Sequence, residues 1–244
     1  MTGELEVKNL DHLGIVAGLI DELEIEKIIN KNLGKDKREK ISLGQTAKAI
    51  LINGLGFVSK PLYLFSRFYQ DKPVERLIGE GIKAQEINDD KIGRLMDRMY
   101  EYGLEKIWLE ISLKGVEKFE VKTQYSHLDS TSISVEGKYE KEEEGSLVIH
   151  HGYSKDKRPD LKQFLIKLLV SNDGDVPLLI QAGSGNEIDK KIFADFIKNY
   201  EKQIDWQSIY VGDAELYTAS NLAKMGETKW ITRVPLSNKK AKEK

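Results

Sequence analysis

Cysteine is absent from the 244-residue sequence. That removes disulfides, thiol nucleophiles and thiolate metal sites together, and it fits a reducing cytoplasm. Charge of one sign is also missing: 38 Lys and Arg stand against 40 Asp and Glu, a formal net charge of -2. No global positive field therefore points to a nucleic-acid partner, although a neutral chain can carry local basic surfaces. Long apolar runs are lacking too. The longest, around "AILINGLGFV", is too short to span a bilayer and carries Asn53. The opening "MTGELEVKNL" has no basic segment followed by an apolar one, so no signal peptide is visible. An intracellular, cytoplasmic and soluble protein with no membrane partner is expected. What is present suits a folded core: hydrophobic residues make up 40% and charged residues 32%, in a length that allows one large domain or two small ones.

The apolar period changes once along the chain. Up to about Phe119 apolar residues recur at helical spacing. "DHLGIVAGLIDELEIEKIINKNLG" sets Leu13, Val16, Leu19, Ile20, Leu23 and Ile28 on one stripe, with Gly34 as a closing cap. "SLGQTAKAILINGLGF" opens on Ser42 with Gln45 three residues on, a capping-box pattern. "PVERLIGEG" reads as a short helix or turn after Pro73. "INDDKIGRLMDRMYEYGLEKIWLEISLKGVEKF" is a long amphipathic segment capped by Asn88 or Asp89 and broken at Gly103. The division expected is a helical domain over 1–118 and a second domain over 119–244.

In the second part the period is two. Strands are expected over residues 123–129, 132–139, 163–171, 176–182, 207–212 and 229–234, with "NDGD" (172–175) as a hairpin turn. "NEIDKKIFADFIKNYEKQI" gives a helical stripe of Ile188, Ile192, Phe193, Phe196, Ile197 and Tyr200. "TASNLAKMG" gives a shorter helix, capped by Thr218 or Ser220 and stopped by Gly226. A meander followed by helix, strand, helix, strand implies an α+β chain whose second part is a mixed sheet with helices packed on it.

Two aspartates draw the attention. In "HLDSTSISVEG" Asp129 stands where alternation begins, and an aspartate in mid-strand is disfavoured by its short, backbone-seeking side chain. A bend through Asp129, Ser130 and Thr131 between two short strands is the plain explanation. In "SIYVGDAELYT" the strand runs out at Gly212 and Asp213, where a simple turn is again the plain explanation. Ligand sites nevertheless cluster beyond the carboxyl ends of parallel strands. If the two strands are neighbours, both carboxylates reach one spot, and paired carboxylates raise a pKa or recruit a divalent cation. Mg²⁺, held by one or two carboxylates plus water and phosphate oxygens, is the natural guest.

Strand with Asp, two more strands, helix, strand with Asp is the connectivity of the RNase H-like fold. The segments "HLDSTS", "HHGYSKDKRPDLKQFLIKLLVSNDGDVPLLIQAGSGNEID", "VGDAELYTASNL" and "WITRVP" resemble DDE-type transposases of bacterial insertion sequences. The likeness is greatest to the insertion-sequence-4 superfamily, in its 1634-type branch, and "YSKDKRPDLKQ" is its most specific stretch. The helical part is similar to the domain that often precedes that catalytic core. The resemblance implies an incomplete RNase H-like core, Asp129 and Asp213 as the first two catalytic acids and ligands of Mg²⁺, and DNA as substrate, at element ends and at a target. It implies a homo-oligomer or a full-length transposase as further partner. It also implies a third acid, a glutamate that follows a tyrosine and an arginine at fixed spacing. Glu215 and Glu227 come too early for it and Glu243 lacks the context, so a chain truncated ahead of its third acid, with little activity, is expected. A DNA-binding or inhibitory remnant, and a helical interaction protein without a catalytic site, are the alternatives.

Other residues carry less. Lys155, Lys157 and Arg158 in "SKDKRPD" make a loop suited to phosphate contact, or an ordinary solvated loop. His150 and His151 face opposite ways on a strand and cannot share one metal without a bend. "GSGNE" lacks the Lys-Ser/Thr of a phosphate-binding loop, which excludes nucleotide binding by that motif. The closing "NKKAKEK" reads as a solvated end.

Overall fold

The computed structural model describes residues 7–34, 39–140, 146–152, 157–187, 193–204 and 206–235. Lys155, Ile188, Ile192, Glu243 and the lysines of the closing segment lie outside these. The chain forms two compact units, Met1–Lys118 and Phe119–Lys244.

The first unit is helical: α1 (Leu13–Glu22), α2 (Ile25–Leu33), α3 (Leu43–Gly54), α4 (Phe65–Phe68), α5 (Val74–Leu77), α6 (Asp89–Tyr102) and α7 (Leu104–Lys118). The single stripe expected over 11–34 is two helices. Leu23 caps α1, and Glu24, in the left-handed region at φ 54°, turns the chain into α2. The reason is phase: Leu13, Ala17 and Ile20 bury one face, and Ile25 and Ile29 would fall off that face in an unbroken helix. Leu19, on the expected stripe, is exposed. Ser42 starts α3 with a complete capping box: its Oγ accepts from the Gln45 amide at 3.1 Å while Gln45 Oε1 accepts from the Ser42 amide at 2.9 Å. Asn88 caps α6, and Gly103 at φ 105° separates α6 from α7. The core gathers Leu13, Ile29, Ile41, Ile52, Leu77, Ile87, Leu95 and Ile107, with the Tyr69 hydroxyl donating to the Ala49 carbonyl at 2.6 Å.

Among the described residues the second unit is a five-stranded mixed sheet with two helices: β1 (Tyr125–Val135), β2 (Lys162–Ser171), β3 (Pro177–Ser184), α8 (Phe193–Glu201), β4 (Ile209–Val211), α9 (Ala219–Met225) and β5 (Trp230–Ile231). The order is β3-β2-β1-β4-β5. β2 runs antiparallel to both β1 and β3, while β1, β4 and β5 are parallel. The two strands expected over 123–129 and 132–139 are one: β1 crosses Asp129, Ser130 and Thr131 without a bend, because β2 pairs with it continuously from Ser126↔Ser171 to Val135↔Lys162. The turn over 172–175 is formed, with Gly174 and Asp175 at positive φ and the Ser171 amide donating to the Val176 carbonyl at 2.9 Å. Alternation along β1 is strict. Ser126, Leu128, Ser130 and Ser132 are buried; His127, Asp129, Thr131 and Ile133 are exposed.

Two outcomes test this architecture. Ser42→Ala removes the cap of α3 and the acceptor for Asn30 Nδ2, and a loss of about 1–2 kcal/mol in urea unfolding is expected. The second concerns alkaline pH. Burial raises the hydroxyl pKa values of Tyr69, Tyr200 and Tyr210 well above the ordinary range. The neutral phenols favour the fold, so the unfolded chain ionises first. Their contribution is full below about pH 10 and is lost as pH rises toward the folded-state values. Among the described residues the buried Tyr200 hydroxyl has no hydrogen-bond partner, so Tyr200→Phe should flatten the alkaline loss of stability without lowering stability at neutral pH. A fall at neutral pH would mean that the hydroxyl is bonded.

Candidate active site on the sheet

The β1–β4 pair places the two aspartates. Its register is Tyr125↔Ile209, Ser126↔Tyr210 and His127↔Val211. That pairing ends at His127↔Val211, and Asp129 and Asp213 each follow two residues later, at the same end of the two strands. Both residues are exposed. Asp129 shares its face of β1 with His127 and Thr131, and its Oδ1 accepts from the Ser130 amide at 2.7 Å.

Asp213 lies just beyond the carboxyl end of β4. The Gly212 amide still donates to the Ile231 carbonyl of β5 at 3.1 Å, so the ladder runs up to the aspartate. The chain then turns: the Glu215 amide donates to Asp213 Oδ1 at 2.8 Å, and the Leu216 amide donates to the Asp213 carbonyl at 3.2 Å. Thr232 donates its hydroxyl to the same carbonyl. Asp213 thus opens a turn, and the turn fixes its backbone while the side chain stays in solvent. Among the described residues no three His, Cys, Asp or Glu side chains form a group able to hold a metal. Glu215 contributes its amide to the turn; Glu227 lies beyond α9, before β5.

The register itself rests on polar contacts inside the sheet. Ser208, at the entry to β4, donates to the Thr123 carbonyl, which leaves Ser126 Oγ to donate to Ser208 Oγ at 2.6 Å; both serines are buried. The Ile209 amide donates to the Gln124 carbonyl at 2.9 Å. Sequence reasoning missed Ser126, Ser208 and Thr232. An isolated serine or threonine near a strand end carries no local pattern that would mark it.

The basic loop divides. Lys155 lies outside the described residues. Lys157 is exposed, with φ 58°. Arg158 grips Asp160 through two nitrogens, Nε at 2.9 Å and Nη2 at 2.7 Å. The guanidinium holds the Asp160 carboxyl below the usual carboxylate range, and the carboxylate raises Arg158 in turn. His150 makes an isolated bridge to Gln163, and its Nδ1 contacts the His151 carbonyl.

Residues 5–113 match a family model described as a domain of unknown function, DUF4277. No curated protein matches the chain. Among solved structures, a Mos1 transposase paired-end complex with the left transposon end is similar over 93% of this chain and 78% of that one, with 11% identity and a TM-score of 0.30. A score at that level carries no inference about fold or function. No helix among the described residues is long and apolar enough to cross a membrane.

Proposed function

We propose that the chain is a DDE-type transposase of the insertion-sequence-4 superfamily, 1634-type branch, with an RNase H-like sheet that acts on DNA at element ends and at a target. The observation that carries this reading is the parallel pairing of β1 with β4, in which Asp129 and Asp213 each follow the last paired residues, His127 and Val211, by two positions, both in solvent. Support also comes from the strand order, in which β2 alone is antiparallel within a sheet centred on β1.

The donor set suits a hard cation. Two carboxylates, with water and substrate phosphate oxygens, are the usual ligands of Mg²⁺, and Asp129 and Asp213 would hold it. The ion supplies Lewis acidity toward a phosphoryl oxygen and a lowered pKa for a bound nucleophile. The chain's own part is positioning: the β1–β4 pairing and the turn after Asp213 hold the backbone at both aspartates before substrate arrives, which lowers the cost of bringing reactants together. Lys157 is the better phosphate contact of the basic loop, since Asp160 already offsets the charge of Arg158.

Without a third acid in the setting that the resemblance implies, the chain is expected to bind DNA and cut it little. A non-catalytic DNA-binding role is the second reading that the same observation favours. Retardation of labelled terminal-repeat DNA with little Mg²⁺-dependent cleavage is the expected result. Robust cleavage abolished by Asp129→Ala would show that another acid completes the site. Salt-insensitive binding, or none, would leave a helical interaction protein instead.

Cation binding is a separate measurement. Mn²⁺ should broaden the amide resonances of His127, Asp129 and Asp213 selectively, and Asp129→Asn or Asp213→Asn alone should remove the effect. Broadening that survives either substitution would dissolve the pair.

A further inference from the structure

A charged residue stands inside the sheet. On the buried face of β2, Leu165, Lys167 and Leu169 alternate, and the Lys167 side chain is only 4% exposed. Its ammonium lies 2.8 Å from Glu187 Oε2, just past β3, and donates to Gln181 Oε1 at 3.4 Å. The Glu187 contact is an ion pair rather than an aligned hydrogen bond. Apolar residues of similar volume would often be as stable in such a place, or more so. What the pair does is turn the chain back. Glu187 Oε1 accepts from the Ser184 amide at 3.0 Å, and the Glu187 amide donates to the Ser184 carbonyl at 3.0 Å. Gly183 leaves the room: a Cβ there would lie 2.5 Å from Glu187 Oε2 and 3.0 Å from Lys167 Cε.

That turn is the base of a larger node. The Gly185 amide donates to the Val148 carbonyl at 2.9 Å, and the Val148 amide donates to Ser184 Oγ at 3.1 Å. Buried Gln163 joins both sides. Its Nε2 donates to the Gly185 carbonyl at 3.0 Å, and its backbone exchanges two hydrogen bonds with His150, at 2.9 and 3.2 Å. A Cβ at Gly185 would lie 2.0 Å from the Gln163 carbonyl oxygen, and one at Gly152 would lie 2.1 Å from the Gly185 carbonyl oxygen. The glycines of "GSGNE" therefore serve close approach between backbones. The node sets Gly152 against Gln163, the second residue of β2, and between those two positions the chain makes the loop of Lys157 and Arg158. The loop starts and ends at the node.

We propose that Lys167 and Glu187 are positioning residues for DNA: their ion pair fixes the node, and the node aims the basic loop so that Lys157 meets a phosphate. The inference rests on the DNA reading above and adds how the loop is held. Place supports it. Lys162, where the loop re-enters the sheet, pairs with Val135 at the carboxyl end of β1, and β4 runs parallel to β1 and hands over to Asp213 at its own carboxyl end. Loop and aspartate thus belong to the same end of the sheet, where ligands of parallel strands gather. Conformation supports it too, since Lys157 at φ 58° holds a backbone geometry uncommon for a residue with a side chain. A loop fixed at both ends loses less freedom when it binds. The pair that fixes it is out of solvent, so salt screens it far less than it screens a phosphate contact.

The test uses the full chain with Lys167→Met and Glu187→Gln together, which removes both charges and leaves neither buried alone. Trypsin cleavage after Lys157 should become about tenfold faster, with the thermal transition unchanged. Affinity for labelled terminal-repeat DNA should fall about tenfold, and the slope of log affinity against log salt should drop by about 1, the mark of one lost phosphate contact. Lys157→Ala should cost the same in the wild-type chain and almost nothing further in the paired variant, a non-additivity that a merely structural role would not give. Gly152→Ala presses on the node from the loop side with the ion pair intact, and should reproduce all three changes even if the paired variant does not fold. Unchanged cleavage and slope, or a full cost of Lys157→Ala in the altered backgrounds, overturns the proposal. A wild-type chain that retards no terminal-repeat DNA sinks the DNA reading and this inference with it. A wild-type chain that binds, beside variants that bind as tightly, sinks this inference alone.

Discussion

The parallel register between β1 and β4 is the constraint on which the second unit depends. Antiparallel strands joined by a tight turn inherit their register from it, as β2 and β3 do through the turn after Ser171. A parallel neighbour has no such turn, and β4 is only 3 residues long. Burial and hydrogen bonding have to fix it instead. Tyr210 is fully buried, so a slip of one residue would turn it to solvent and send Asp213 to the other face. The Ser126–Ser208 bond, between groups 82 residues apart, adds a polar lock that a slipped strand would leave unsatisfied inside the sheet.

In the first unit capping and packing are the same contact. Asn30 of α2 donates through Nδ2 to Ser42 Oγ at 3.2 Å and accepts from the Gly44 amide at 2.9 Å. The two helices meet so closely that a Cβ at residue 44 would lie 2.3 Å from the Glu26 carbonyl oxygen. Glycine there is a matter of approach between backbones. The cap that starts α3 and the contact that holds it on α2 therefore stand or fall together.

Local chemistry was legible in the sequence where its partners are close along the chain. Ser42 with Gln45, Asn88 ahead of α6, Gly103 between two helices, Thr218 before α9 and the turn at 172–175 all satisfy backbone groups within a few residues. The break at Leu23–Glu24 was not legible, because the two apolar sets merge into one plausible stripe until a core requires them to face the same way. The continuity of β1 was not legible either. Local preference favoured a bend at Asp129, Ser130 and Thr131, and pairing with β2 along the whole strand overrode it. Asp129 was readable as a carboxylate within an alternating stretch and Asp213 as the residue where a strand runs out; the groups that hold their frame, Ser126, Ser208 and Thr232, act across long separations and leave no local trace.

The composition of β1 answers the puzzle of an aspartate in mid-strand. Of its four buried positions, three are serine, at residues 126, 130 and 132, and only Leu128 is apolar. Such a strand contributes little hydrophobic burial of its own. Leu165, Leu169 and Tyr210 on its neighbours supply that surface, and β1 is held by ladders on both sides as the centre of the sheet. With its place secured by backbone pairing, its exposed positions need no β-forming side chain. The low β-propensity of aspartate costs little there, since propensity in sheets is mostly packing against neighbours. A central strand of this kind can hold His127, Asp129 and Thr131 in solvent at fixed positions on a rigid backbone, which is what a site built from positioned carboxylates requires.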